Sequence, residues 1–256
     1  MDLHAALAET AAAIRAALDG LDDWGLAGTK PGQYLSDLAA DSAAVAVLDG
    51  RGLGVLSEES GRHHPERPVT VVVDPVDGST NASRGIPWFA TSLCAVDAEG
   101  PLAALVINLA SGSTFAAERG AGATVDGIAP TPSTRTRLRE SMVALSGYPP
   151  EYLGWYQYRA LGAAALDLCA VAAGVVDAYI DCSHDAHGPW DYLGGMLVCT
   201  EAGAVVADAD DRDLVVLEHE ARRTPLAAAN ADLLTEVTAA RRAAARRATT
   251  RRATTR

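Results

Sequence analysis

The sequence has 256 residues, 49% of them hydrophobic, with 33 acidic side chains against 21 basic ones and a formal net charge of −12. That size and apolar fraction suit one compact unit or two intimately packed halves, and no apolar run reaches the roughly 20 residues needed to span a membrane as a helix. Residues 241–256 hold seven arginines and no acid, so residues 1–240 carry a formal net of −19; such a body repels phosphate-bearing molecules at long range unless cations neutralise the site.

An alanine-rich amphipathic pattern, Asp2 to Leu18 with Glu9 inside it, predicts a helix over 3–19 ended by Gly20, and does not resemble a signal peptide. A loop follows. It contains Gly28-Thr29-Lys30-Pro31-Gly32, and Lys30 is the only lysine in a chain with twenty arginines. An ammonium is a compact point charge that a guanidinium does not replace. A second helix is expected over 34–48, ended by Gly50, with Asp37 and Asp41 at i, i+4 on one face. Strands near 52–57 and 69–74 come next, and each runs into acids: Ser57-Glu58-Glu59-Ser60-Gly61 after the first, Asp74-Pro75-Val76-Asp77-Gly78-Ser79-Thr80-Asn81 after the second.

Phe89 to Val96, Leu102 to Leu109 and Thr114 to Glu118 are β-rich runs separated by Asp97 to Gly100 and Ser111 to Ser113. Their short turns predict an antiparallel meander. The polar stretch Thr131 to Arg139 marks a boundary. Beyond it the pattern alternates: strand 142–146, helix 161–173, strand 176–181, helix 190–202, strands 204–207, 214–217 and 226–229, and a closing helix. Sheets alternating with helices imply a layered α/β sandwich. The arginine-rich end is low in complexity and is expected to extend that last helix and then fray. Cys94, Cys169 and Cys199 lie in apolar runs and Cys182 stands apart, without metal-ligand spacing, so free buried thiols in a reducing, cytoplasmic setting are expected.

The octapeptide at Asp74 carries the chemistry. Clustered carboxylates suit hard cations, and magnesium in particular is held by one or two carboxylates together with a substrate phosphate. Backbone N–H groups of a glycine turn that opens a helix suit the phosphate itself. Read alone, the segment is also compatible with a polar turn after a buried strand. Gly188-Pro189-Trp190-Asp191, leading into Leu193 to Cys199 and then Glu201-Ala202-Gly203, places a second isolated acid in the first turn of a helix. There Asp191 also suits the helix dipole, and Trp190 also suits a core.

Together, in this order, the Glu58-Glu59 pair, the Asp74 to Asn81 motif and Trp190-Asp191 with Glu201-Ala202-Gly203 resemble the inositol monophosphatase family, within the wider superfamily that includes fructose bisphosphatases. The resemblance runs from about Lys30 to Asn230. It implies an αβαβα sandwich with a largely antiparallel N-terminal sheet and a mixed C-terminal sheet. Residues 1–137 would form the half carrying most metal ligands, 138–240 the half carrying Trp190-Asp191, and 241–256 a basic tail. It further implies a homodimer, and hydrolysis of a small phosphomonoester assisted by two or three Mg2+ ions. In that reading Glu58, Asp74, Asp77, Asp191 and the Val76 carbonyl hold metal. Glu58 and Ser79 activate water. Gly78, Ser79, Thr80 and a backbone group at Ala164 receive the phosphate. Lys30 faces the cluster, and Glu59 supports it or a third ion. An Asp near the third ion falls at Asp37 or Asp41, with Asp41 favoured.

Several positions depart from the family pattern. Ala163 stands where a small hydroxyl residue is common, and Ala204 follows Glu201-Ala202-Gly203 where a second glycine is usual. The stretch Asp181 to His187, which reaches the alcohol part of the substrate, is altered; His184, Asp185, His187 and Asp191 are its candidate contacts. Inositol, histidinol, sugar and 3′-phosphoadenosine 5′-phosphate substrates therefore all stay open, as does a non-catalytic metal-binding relative. The tail raises a polyanion-binding reading, which lacks aromatic stacking residues or a nucleic-acid-binding fold to support it. Asp208 to Asp213 begins like a calcium loop, but it lacks the sixth-position glycine and has His219 at position twelve. No Gly-x-Ser-x-Gly elbow accompanies Ser57, Ser60 or Ser79.

Overall fold

A computed structural model describes residues 2–30 and 32–254. Two helices open it, α1 (Leu3–Asp19) and α2 (Leu35–Gly50). The Asp2 carboxylate accepts from the Ala5 amide and starts α1, while Ala6, Leu7, Ala11, Ile14 and Leu18 form its buried stripe. Seven strands follow: β1 (Gly54–Ser57), β2 (Gly61–His63), β3 (Thr70–Asp77), β4 (Ala90–Asp97), β5 (Gly100–Asn108), β6 (Thr114–Glu118) and β7 (Gly122–Val125), with a short helix α3 (Ser79–Ser83) between β3 and β4. They form one sheet in the order β2-β1-β3-β4-β5-β6-β7, antiparallel except for the β1–β3 pair. The expected meander is present, and β2 and β7 add to it beyond what the apolar runs indicate.

The second half contains β8 (Met142–Ser146), β9 (Gln157–Arg159), α4 (Ala164–Ala172), β10 (Ala178–Asp181), α5 (Pro189–Ala202), β11 (Val205–Asp208), β12 (Pro225–Ala228) and α6 (Ala231–Thr254). Its five-stranded sheet runs β11-β12-β10-β8-β9 and is mixed, parallel from β10 through β8 to β9. One expectation needs correction: no strand forms at 214–217, and that stretch lies in the connection between β11 and β12. The arginine-rich segment extends the last helix as expected, its described part continuing α6 to Thr254.

Strand alternation assigns the layers. On β3, Val71 and Val73 pack with α1 and α2, whereas Val72 faces α4 and α5. On β10, Tyr179 joins that same central core, whereas Ala178 and Ile180 pack under Leu233 and Val237 of α6. The order is therefore helix pair, sheet, helix pair, sheet, helix. The middle layer is tight. A Cβ at Gly194 would lie 2.7 Å from Ser92 Oγ on the sheet, and one at Gly195 would lie 2.6 Å from Leu168 Cβ on α4. Two adjacent glycines thus let α5 touch β4 and α4 together.

Arg241 is nearly buried on α6. Its guanidinium donates to the carbonyls of Asp181 (2.7 Å), Cys182 (3.1 Å) and Ser183 (2.8 Å). Arg242 pairs with Asp211 at 2.6 Å and donates to the Ala209 carbonyl. The two arginines thereby clasp the segments that leave β10 and β11. All four cysteines are buried free thiols, Cys182 included although its sequence neighbours are polar. Among the described residues no helix is long and apolar enough to cross a membrane.

Candidate active site

Asp74 and Asp77 are three residues apart in β3, a spacing that sends side chains to opposite faces of a regular strand. The ladder slips between them: Asp74 pairs with Ser92 but Asp77 pairs with Ala90, so three steps on β3 match two on β4. This β-bulge inserts one extra residue and re-aims the second carboxylate. Both acids then meet Asp191 from the start of α5, and one carboxylate oxygen of each of the three lies within 4.8 Å of the others.

Each acid is also held in place. Asp74 Oδ1 accepts from the Val76 amide at 3.1 Å. Asp77 Oδ2 accepts from the Ala165 amide at 2.7 Å. Asp191 Oδ2 accepts from the Gly188 amide at 2.6 Å, which closes the first turn of α5 behind Pro189. The α4 contact explains one departure from the family pattern. Ala163 is the N-cap of α4 and has no side chain with which to cap it; Asp77, 88 positions before Ala165, supplies the acceptor instead.

Gly78 follows in the left-handed region at φ 86°, and a Cβ there would sit 3.1 Å from the carbonyls of Trp88 and Gly162. Asn81 Nδ2 donates to the Trp88 and Leu161 carbonyls at 2.7 Å each. Trp88 Nε1 donates to Asp167 of α4 at 2.9 Å. The loop after β3 is thus pinned to the entry of α4, and the two halves meet at the acids.

A cleft of about 250 Å³ opens above the cluster, lined by Lys30, Gly32, Gln33, Asp37, Glu58, Glu59, Ser79, Trp190 and Arg222. Glu58 and Glu59 both face it, since β1 ends at Ser57 and strand alternation no longer applies to them. Gln33 donates to the Glu59 carboxylate, and Lys30 Nζ donates to the Glu59 carbonyl at 3.0 Å. Between the two candidate acids of α2, it is Asp37 that lines the cleft. It accepts from the Tyr34 amide at 2.9 Å. The Asp41 carboxylate is held by the hydroxyls of Ser57 and Ser60 beneath the β1 turn, which corrects the preference for Asp41.

The electrostatics are those of crowded acids that outnumber the cations beside them. Burial, reinforced by Asp191, Glu59 and Asp77, pushes the Glu58 carboxyl well above its ordinary value. Burial and then Glu58 and Asp77 do the same to Asp74. Asp77 is pushed up to about 7 by burial and Asp191, against the opposing α4 amides. Asp191 is raised by burial although His187 and Arg222 oppose the shift, and Asp37 is raised to about 6, chiefly by burial.

The other sequence candidates separate. Thr80 lies beside the Tyr34 hydroxyl at 3.2 Å. His187 is nearly buried: Nδ1 lies 2.9 Å from Asp181 Oδ2, and Nε2 lies 3.3 Å from the Tyr179 hydroxyl and 3.4 Å from Ser146 Oγ. Burial works against its charge, but Asp181, Asp191 and Asp77 outweigh that and raise it to about 9. Both its ring nitrogens have protein partners, which hold the ring in place. The structure does not bring Asp185 to the acids; its carboxylate pairs with Arg212 at 2.7 Å, and His184 is exposed beside it. Glu201 is structural, accepting from the Gly120 and Gly122 amides at 3.0 Å each and so tying α5 to the β6–β7 turn.

Two cleft residues, Gln33 and Arg222, and His219 behind Trp190 escape the sequence reading of the site. Gln33 has no motif. His219 and Arg222 lie in the β11–β12 connection, where His219 stacks on Trp190 with ring centroids 4.9 Å apart and lies 3.0 Å from the Glu58 carbonyl. The Arg222 guanidinium sits 5.0 Å over the Trp190 ring. Only tertiary folding brings that connection over the cleft, so no local spacing signals it.

Comparison with known proteins agrees with this architecture. A model of the inositol monophosphatase family matches residues 39–250. A protein of Thermococcus kodakarensis described as fructose-1,6-bisphosphatase/inositol-1-monophosphatase is 33% identical over 210 residues, covering 78% of this chain and 79% of that one. The Nus factor SuhB of Escherichia coli K12 is 34% identical over 171 residues, covering 60% of this chain and 62% of its own length. Among solved structures, a Pyrococcus horikoshii protein described as having similarities to inositol-1 monophosphatase superposes with a TM-score of 0.80 at 25% identity, covering 93% of this chain and 96% of that one.

Proposed function

This chain belongs to the inositol monophosphatase family, and on that footing we propose that it hydrolyses a small-molecule phosphomonoester with the help of magnesium. The observation that carries the reading is the convergence of Asp74, Asp77 and Asp191. Three buried or partly buried carboxylates with raised pKa values are a donor set short of positive charge, and all-oxygen donors fit a hard divalent cation. Asp74, Asp77, Asp191 and Glu58 would hold the ions, and Asp37 and Glu59 extend the set toward the cleft mouth. When bound, such cations draw charge from phosphoryl oxygens and make water more acidic.

The protein's own groups do the rest. The bulge after Asp74 and the α4 amide at Asp77 fix two carboxylates before substrate arrives, so little reorganisation is needed on binding. Glu58, its basicity raised by burial, takes up the proton of the attacking water at a carboxylate oxygen, with the Ser79 hydroxyl orienting that water. The amides of Gly78 and Ser79, where α3 opens, receive phosphate oxygens. Trp190 walls the cleft and excludes bulk water from one side. Ala165 spends its amide on Asp77, so the entry of α4 serves the acid before the phosphate.

Phosphoryl transfer asks mainly for positioning and charge neutralisation; the fixed carboxylates and loop amides would supply the first, and the cations they hold would supply the second. The test is release of inorganic phosphate from a panel of small phosphomonoesters, with and without added magnesium. Magnesium-dependent release from at least one of them is expected. Absence of turnover across the panel, with the protein folded, would overturn the proposal.

A further inference from the structure

Two cations line the cleft, Lys30 and Arg222, and they stand in different surroundings. Lys30 reaches the Glu59 carbonyl, and Asp37 and Glu59 line the same wall. Arg222 has no carboxylate within ion-pair distance among the described residues; the nearby charge it acts on is that of Asp191. Its Nη1 donates to the carbonyls of His219 (2.7 Å) and Ala221 (2.8 Å), and its planar face lies over Trp190. Those contacts fix the guanidinium while leaving other N–H donors of the fork unspent.

Among the described residues no carboxylate pairs with Arg222, so the remaining N–H donors of its fork can meet a ligand in the cleft. A guanidinium held on an aromatic face, with its fork open, is suited to bidentate capture of a carboxylate or phosphate. The cleft volume of about 250 Å³ falls below the roughly 300 Å³ at which pockets for drug-sized ligands begin, so the group that Arg222 meets belongs to a compact molecule. We infer that Arg222 selects substrates whose leaving alcohol carries a second anionic group, a carboxylate or a further phosphate. This rests on the reading of the acids as the phosphoryl site.

The experiment uses three compounds of one carbon length: glycerol 3-phosphate, whose alcohol is uncharged; 3-phosphoglycerate, which carries a carboxylate; and 1,3-propanediol bisphosphate, which carries a second phosphate. Binding to the full chain with magnesium is measured by calorimetry, alongside phosphate release. The wild type should bind one or both of the doubly anionic compounds at least about tenfold tighter than glycerol 3-phosphate, the scale of one charge-assisted contact; which of the two gains identifies the second group. Arg222→Met keeps the apolar stem over Trp190 and should bring that ratio close to one. Arg222→Lys keeps the charge and should retain part of it.

Equal affinity for all three compounds in the wild type, or an unchanged ratio in Arg222→Met, overturns the inference. Binding is read separately from turnover. Loss of phosphate release from every compound would therefore count against the phosphatase reading, while the binding ratio would still decide the role of Arg222.

Discussion

The Asp77 carboxylate caps the helix that begins at Ala164, taking the Ala165 amide at 2.7 Å across 88 positions of sequence. One side chain therefore anchors the second half of the molecule to the first and also belongs to the acidic cluster. Capping and charge can be separated, because an amide oxygen still accepts from the Ala165 N–H.

Asp77→Asn should thus keep the fold and lose the chemistry. Turnover is expected to fall by about 10²-fold or more, the scale seen when one preorganised electrostatic group is removed, with an unchanged circular dichroism spectrum. Near-normal phosphate release in that variant would contradict the assignment of Asp77 to the reacting centre.

The metal-free protein should become less stable as pH rises. Asp77 goes from an ordinary 3.8 to about 7 on folding, and Asp74 and Glu58 shift in the same direction. A carboxyl raised in the folded state contributes fully below its unfolded value and loses that contribution as pH climbs through the folded one. In chelator, the melting temperature should therefore fall between about pH 5 and about pH 8. Millimolar magnesium should restore most of the loss at the upper end. A melting temperature indifferent to magnesium at pH 8 would argue against a cation site here.

Gly78→Ala places a Cβ at φ 86°, 3.1 Å from two carbonyls and 3.2 Å from Ala163 Cβ. A strained residue of this kind costs on the order of 1–3 kcal/mol, to be read from the midpoint of urea unfolding. Phosphate release should fall as well, because the loop that follows Asp77 must shift. An unchanged midpoint would show that the loop relaxes freely.

Glu201→Ala removes two 3.0 Å acceptor contacts to the Gly120 and Gly122 amides. These lie near the surface, so about 1 kcal/mol of stability is expected to go, with kcat close to that of the wild type. A large drop in kcat alone would place Glu201 in the chemistry instead.

Arg241→Met strips three carbonyls of their donor, two of them on buried residues. A loss of roughly 1.5–3 kcal/mol follows from hydrogen bonds to a charged group. Removing residues 241–256 should destabilise the protein by at least as much, whereas a cut after Arg247 spares both Arg241 and Arg242. Equal melting temperatures for the two truncations would contradict the structural role.

Much of this was legible in the chain. The long helices, the meander and the acids at strand ends have strong periodic or motif signals, and β3 leads to Asp74 as the run Val69 to Val73 suggests. The short edge strands β2, β7 and β9 have three or four residues each, too few to show a period. The run 214–217 has strand-like composition but finds no partner strand, and its connection is spent on covering Trp190. Asp37 and Asp41 share one helix face at i, i+4, so spacing alone leaves them equivalent; the Ser57 and Ser60 hydroxyls settle which turns inward. The convergence of Asp74 and Asp77 depends on a bulge that alternation argues against.

Arg241 has a consequence of its own. The backbone from Asp181 to Ser183 opens the span that ends at Asp191, and it is moulded by a side chain from the far end of the polypeptide. During synthesis on the ribosome, Arg241 emerges after every acid of the cluster, so this stretch of backbone gains its three guanidinium contacts only once α6 has formed and docked.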